Sequence, residues 1–307
     1  SSVWVGTPLY ILGETRNHRW SLVVTPEFIG WVQSKGIART NEAFVNRWKE
    51  AAKKNLVAII RSETAINDET GQFRFTAYVG SFFPAESESS GFRILLPVAD
   101  MEQQALIKYG TLSTDTAVQM PLSATPQHFS EVMRGLIGRP YGWGGMYFYN
   151  DCSAELKYLL APFGIWLPRH SSYQVYAGKM VDMSSAPRDQ RLAYLMAKGH
   201  RFLTLVYIGG HIFLYVGNYP NPNDKDHGLF ALSYQNMWGL SPNPPTRRAV
   251  IGKAVLFPLL LEYPEDGSLT SLVDKKFFQV SYLDELPNFV MKLQKVDLRM
   301  LMSEVLE

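Results

Sequence analysis

The pattern of apolar residues changes once along the chain, near Met120, and that change limits the possible folds more than any other feature. Residues 3–113 read as short runs, WVGTPLYIL, RWSLVVT, FIGWVQ, LVAIIRSET, FRFTAYVGSFFPA and FRILLPVA. Apolar and β-branched residues alternate within them, and Gly, Pro, Asn and Asp bound them, which is the signature of strands joined by turns. The exception is NEAFVNRWKEAAKK at residues 41–54, where Phe44, Val45 and Trp48 fall at helical spacing behind a polar start. After Met120 the helical period takes over. Thr125 and Pro126 form an N-cap and first-turn pair, and Phe129, Val132, Met133, Leu136 and Ile137 make one stripe ending at Gly138. A second helix is expected from Cys152, with Leu156, Leu159, Leu160 and Phe163 on one face and Pro162 as a stop. Strands then follow in RFLTLVYIGGHIFLYVG, GLFALSYQNMWG and AVIGKAVLFPLL, with a terminal strand and an amphipathic helix expected between residue 271 and the end. A β-rich first part followed by helices and then strands is an α+β chain. At roughly 100 to 200 residues per domain its 307 residues predict two or three domains.

Composition removes several classes of function. Hydrophobic residues make up 46% of the chain and charged residues 19%, enough apolar surface to offset chain ordering. Thirty Lys and Arg against 28 Asp and Glu leave a net charge of +2 with no long basic cluster, so no nucleic acid partner is expected. The longest apolar stretch, near Leu205 to Val216, is broken by Gly209, Gly210 and His211 and falls short of the ~20 residues of a spanning helix, so no membrane-spanning segment is expected. The opening residues carry no basic, apolar and small-residue signal pattern, which leaves the compartment open. With Cys152 the single cysteine, neither an intrachain disulfide nor a cysteine-based zinc cluster can form.

Cys152 falls in the first turn of its predicted helix, behind Asn150 and Asp151 as candidate caps. Unpaired N–H groups and the dipole at such a position favour a thiolate, the form in which a cysteine is a nucleophile. A lone cysteine is as readily a small buried hydrophobe. Of the six histidines, His18, His128 and His227 lie in polar or cap-like segments and His200 follows a turn. His211 opens an apolar strand directly after Gly209-Gly210, which places its ring at a sheet end, where an imidazole acts as a base or simply as a satisfied core residue. The glycines of RPYGWGGMYFYND permit tight backbone geometry, and no Gly-Lys-Ser/Thr follows to suggest a phosphate loop.

These residues carry a family resemblance. RPYGWGGMYFYNDCSAELKYLLAPFGIWLPRHSSYQ resembles the cysteine-helix half of the NlpC/P60 peptidases: a Tyr-x-Trp-Gly-Gly loop, Asp-Cys-Ser at a helix start, then Leu-Pro-Arg-x-Ser and a Gln. GHIFLYVG is similar to their histidine strand, although Cys152 and His211 lie further apart than in compact members, which suggests an insertion around residues 181–198. RWSLVVTPEFIGWV resembles the end of a bacterial SH3 domain, with a second copy from about residue 56 to 113. The resemblance implies a papain-like α+β domain at 122–307, preceded by SH3-like β-barrels at 1–40 (with a short first strand) and 56–115 and a linking helix at 41–55. It implies Cys152 as nucleophile, His211 as base and Gln235, in SYQNMWG, at the place where the family more often has His. Asp151 and Ser153 would help to bind substrate, with the free amine of a terminal alanine as one candidate group, and Arg169 would either pair with a substrate carboxylate or brace its loop. The implied reaction is hydrolysis of the γ-D-glutamyl to diamino acid bond in peptidoglycan stem peptides or muropeptides, in the bacterial cell envelope or in cytoplasmic recycling, with no metal or organic cofactor. The rival readings are an inactive cell-wall-binding adaptor and a Cys-His acyltransferase or amidase.

Overall fold

The computed structural model describes residues 2–88, 91–221, 228–263 and 265–288. Strands β1 (Tyr10–Glu14), β2 (Trp20–Val24) and β3 (Ile29–Gln33) form a three-stranded antiparallel meander. Helix α1 (Glu42–Lys54) follows, capped by Asn41, whose side chain accepts a hydrogen bond from the Phe44 N–H at 2.8 Å. The next strands are β4 (Leu56–Ile59), β5 (Thr64–Asn67), β6 (Phe73–Ala77), β7 (Phe82–Glu88), β8 (Gly91–Ala99), β9 (Ala105–Leu112) and β10 (Ala117–Gln119). They build a five-stranded sheet in the order β10-β4-β7-β8-β9 and a separate β5-β6 hairpin around a core of Val57, Ile59, Phe83, Ile94 and Leu96. The N-terminal part is therefore β-rich as expected, but its sheets are open and not closed barrels. Residue alternation specifies the faces of a strand; it does not specify whether the first and last strands of a sheet meet.

The second part contains α2 (Pro126–Arg134), α3 (Cys152–Leu160), the short α4 (Ser171–Gln174), β11 (Lys179–Asp182), α5 (Arg188–Lys198), β12 (Thr204–Tyr207), β13 (Ile212–Pro220), β14 (Leu229–Leu240), β15 (Ala249–Leu259) and β16 (Gln279–Tyr282). The six strands form one antiparallel sheet in the order β11-β16-β12-β13-β14-β15. Strand alternation divides its side chains between two layers. Ile212, Leu214, Val216 and Tyr234 pack with α2 and α3, whereas Phe213, Tyr215 and Met237 pack with Leu195 of α5 and with Leu272 and Val273. The region suspected of being an insertion is β11 and α5, an edge strand and the cover of the second face. The expected terminal strand is β16; the amphipathic helix expected after it lies outside the described residues, as does His227. Among the described residues no helix is long and apolar enough to cross a membrane.

The two parts share a core. Ile60 and Val79, from the five-stranded sheet's side, are buried in the same cluster as α2 and α3. Gly80 has φ +86°, and a Cβ there would stand 2.7 Å from Tyr158 Cβ and 2.7 Å from the Tyr158 carbonyl oxygen on α3. Trp4 closes the same seam by stacking on Tyr158 with ring centroids 4.0 Å apart. Gly80→Val is expected to destabilise the whole chain by about 2 kcal/mol or more, through backbone strain and lost contact, and to lower the melting temperature of a single cooperative transition. A melting temperature equal to wild type would show that this seam contributes nothing to stability.

Candidate active site

Asp151 organises the start of α3. As N-cap it accepts a hydrogen bond from Ala154 N–H at 3.0 Å and another from the Ser153 hydroxyl at 3.1 Å. Its second carboxylate oxygen accepts Gly144 N–H at 3.1 Å, which is possible because Gly144 and Gly145 turn the preceding loop with φ of 65° and 83°. Both arms of Arg169 reach the same carboxylate, at 2.9 and 2.7 Å, and one of them also donates to Ser153 Oγ at 2.9 Å. Arg169 therefore braces its loop and is already spent on Asp151, so its fork is not free for a substrate carboxylate. Burial acts to raise the Asp151 pKa, but the hydrogen bonds and charge of Arg169 outweigh it and hold the carboxyl below its ordinary value. Gln174 steadies the other side by donating to the Ser153 and Pro168 carbonyls, each at 2.8 Å.

The brace extends into the N-terminal sheet. Glu27, in the turn between β2 and β3, forms a buried ion pair with Lys157 of α3, and its other oxygen lies 3.9 Å from Arg169 Nε. Nothing in the local sequence marks Glu27, because its partner is 130 positions away.

Cys152 occupies the first turn of α3 and is 6% exposed. The backbone N–H groups of Ser153 and of Ile212, the residue after His211, act to lower the thiol pKa, so the start of β13 lies beside it. The expectation of a thiolate favoured by the helix N-terminus is reversed. Burial first, and the negative charge of Asp151 second, push the thiol up to about 11, outweighing the effect of those two N–H groups. Burial likewise lowers the pKa of His211 below its ordinary 6.5, although the hydrogen bond to Gln235 and the charge of Asp151 act the other way. The resting pair is therefore a neutral thiol and a neutral imidazole.

His211 lies at the sheet end, half-buried, with Nε2 2.7 Å from Gln235 Oε1 of β14. Asn236, the next residue of β14, is turned to the opposite face of the strand. Its amide donates to the Asn150 carbonyl at 2.9 Å and to Glu155 at 3.3 Å. Glu155 is fully buried and also receives the Tyr234 hydroxyl and, at 2.9 Å, the Asn150 amide. This cluster fastens the loop before Cys152 to the strand that bears Gln235, and burial raises the Glu155 pKa. Tyr141 has its hydroxyl within the field of Cys152 and Asp151, and burial and both charges raise its pKa. Of the other described histidines, His18 pairs with Glu14, His128 with the Ser123 carbonyl and His200 with Asp284, and His170 packs edge-on against Tyr173.

A half-buried imidazole oriented by an amide carbonyl at the end of an antiparallel sheet, beside a cysteine in the first turn of a packed helix, defines a papain-like Cys-His arrangement. Residues 138–234 match the NlpC/P60 family, and residues 41–89 match the SH3 domain of SH3b2 type, a span that begins with α1. The chain thus carries an NlpC/P60 domain behind an SH3 domain. It is similar in structure to an NlpC/P60 endopeptidase from Photobacterium damselae subsp. piscicida, with a TM-score of 0.78 and 29% identity over 93% of this chain and 65% of that one. It shares its fold with an NlpC/P60 family protein from Bacillus cereus ATCC 10987, with a TM-score of 0.56 and 15% identity over 88% of this chain and 79% of the other. A comparison with curated proteins gives no match.

The Asp151 brace has a defined pH dependence. A carboxyl whose folded-state pKa is lowered contributes stability that is fully present above its unfolded value, near 3.8, and is lost as pH falls through the folded value. Asp151→Asn leaves Arg169 without its partner and should cost about 3 kcal/mol near pH 7, with the gap to wild type narrowing toward about pH 3. Urea unfolding of both proteins at the two pH values measures it, and a gap independent of pH would remove charge from the explanation.

Proposed function

We propose that this protein is a cysteine endopeptidase of bacterial cell-wall peptides, acting in the cell envelope on the γ-D-glutamyl to diamino acid bond of peptidoglycan stem peptides. The observation that carries the reading is the His211–Gln235 pair, 2.7 Å apart, at the start of β13, whose Ile212 N–H acts to lower the pKa of the Cys152 thiol. The family match and the likeness to a Photobacterium endopeptidase support the same class of reaction. Cys152 and His211 act on the scissile amide, Gln235 orients the His211 ring, and Asp151, Ser153 and Tyr141 face the part of the substrate beyond it.

With Nε2 engaged by Gln235, the base is Nδ1. As Sγ attacks the carbonyl, the thiol proton moves to Nδ1 and the carbonyl π electrons move to oxygen. The Cys152 N–H, at the start of α3, stabilises that oxyanion, a donor worth roughly 3 kcal/mol. Collapse breaks the C–N bond, the proton on Nδ1 passes to the departing amine, and a thioester remains. Water, deprotonated by Nδ1, then releases the acid and restores the thiol. Because the resting pair is neutral, the thiol proton is transferred during attack, and slow alkylation of this buried thiol is expected of an active enzyme and an adaptor alike. Turnover separates the two.

Incubation with defined muropeptides should release L-Ala-γ-D-Glu, with the diamino acid on the other fragment, as read by mass spectrometry. Fragments cut elsewhere would redirect the assignment to another amide, and no product from any muropeptide would favour the adaptor. Cys152→Ala and His211→Ala should abolish release with little change in melting temperature, whereas Gln235→Ala should lower kcat by a smaller factor and Gln235→His should retain much of the activity. For the wild type, kcat/KM should rise through an acid limb below 6.5, where His211 loses its proton, and fall only toward about 11, where the thiol ionises. An acid limb above 6.5 would contradict a base whose pKa burial has lowered.

A further inference from the structure

Resting on the proposed hydrolase reading, we infer that Ser233 is a positioning residue that selects the tautomer of His211 by fixing which end of the Gln235 amide faces the ring. Ser233 lies two residues before Gln235 on β14, and both side chains are fully buried. The Ser233 hydroxyl donates to the Phe257 carbonyl of β15 at 2.8 Å, and Gln235 Nε2 lies 2.8 Å from the same hydroxyl oxygen.

The direction of every bond in this chain follows from its far end. A backbone carbonyl can only accept, so the single proton of the Ser233 hydroxyl is committed to Phe257. Toward Gln235 that oxygen can then only accept, and the amide must present its NH2 there. The amide carbonyl is thereby turned to His211, and an acceptor 2.7 Å from Nε2 requires Nε2 to carry the proton. A neutral imidazole has one ring proton, so Nδ1 is left as the bare base. The sequence Phe257 carbonyl, Ser233 hydroxyl, Gln235 amide, His211 ring is a polarity relay with one consistent setting. It also explains how glutamine serves where histidine is more frequent. An amide has a donor end and an acceptor end of nearly equal shape, and without a fixed neighbour it could face the ring either way.

Ser233→Ala removes the acceptor that holds the NH2 group. The amide then gains from rotating its NH2 toward Nε2, which moves the ring proton to Nδ1 and blocks the base. Long-range proton–nitrogen correlation spectra of the full protein report the tautomer directly, with the His211 signals identified by their loss in His211→Ala. The wild type should show a protonated Nε2 and a bare Nδ1; Ser233→Ala should show a shift toward protonated Nδ1; Ser233→Thr, which keeps the hydroxyl, should restore the wild-type pattern. On a muropeptide substrate Ser233→Ala should lower kcat by roughly tenfold or more with KM changed by less than about twofold, a split expected of a misplaced proton. A wild-type ring protonated at Nδ1, or a Ser233→Ala protein with both the wild-type spectrum and the wild-type kcat, would overturn the inference. If Ser233→Ala does not fold, the wild-type spectrum and Ser233→Thr still decide it. An absence of muropeptide turnover would sink the hydrolase reading, while the spectra would still report the tautomer.

Discussion

The Asp151 carboxylate is the interaction on which the site depends. One group caps α3, holds the glycine turn before it and takes both arms of Arg169. Through Arg169 the charge chain continues to Glu27 and Lys157, so the N-terminal sheet is tied to the helix that carries the cysteine. Four charges of alternating sign, Glu27 from the N-terminal sheet and Asp151, Lys157 and Arg169 from the second part, are largely buried as a neutral set. Such a set adds little net stability over apolar packing, but removing one member leaves an uncompensated charge and costs about 3–5 kcal/mol. Its value is geometric: α3 cannot shift against the first sheet without breaking an ion pair.

The same carboxylate sets a limit on the chemistry. It lies one residue before Cys152, and its negative charge opposes a thiolate while favouring protonation of His211. Burial opposes both ions. The two nucleophile-activating features available to the thiol, the helix start and the N–H groups of Ser153 and Ile212, are outweighed in the resting site. On the proposed mechanism the arrangement thus stores a neutral pair and leaves proton transfer to the moment of attack, when the forming S–C bond removes negative charge from sulfur and the oxyanion takes it up beside the start of α3.

Much of this was legible in the sequence, and for local reasons. The α3 stripe, its Asp151 cap and the strand start at His211 are each specified within about ten residues by periodicity, capping chemistry and glycine turns. Gln235 was legible only through the resemblance of its strand to the family's, since glutamine in a strand has no signature of its own. Sheet closure was not legible, because alternation describes each strand and not the meeting of the outer two. Glu27, Glu155 and Ser233 were missed for a shared reason: each acts through a partner on another element, such as Lys157 on α3 or Phe257 on β15, and an isolated Glu or Ser in sequence reads as solvent-facing. The thiol pKa was misread because the helix start is visible in sequence, while the depth of burial that overrides it is not.

The choice of an uncharged orienting group completes the electrostatic argument. A histidine or carboxylate at position 235 could share or acquire charge with His211, raising its affinity for a proton and tending to trap the imidazolium. Glutamine offers a carbonyl dipole alone, so it orients the ring while stabilising its charged form less, and burial is left free to keep the His211 pKa low. The cost is ambiguity in the amide's direction. Ser233, whose own proton is fixed by the Phe257 carbonyl, removes that ambiguity without adding charge. On the proposed reading a neutral nucleophile, a neutral base and a neutral orienter therefore sit beside a compensated ionic brace, and the charge that would develop as the thiol attacks is not already neutralised by a fixed ion within the Cys152–His211–Gln235 line.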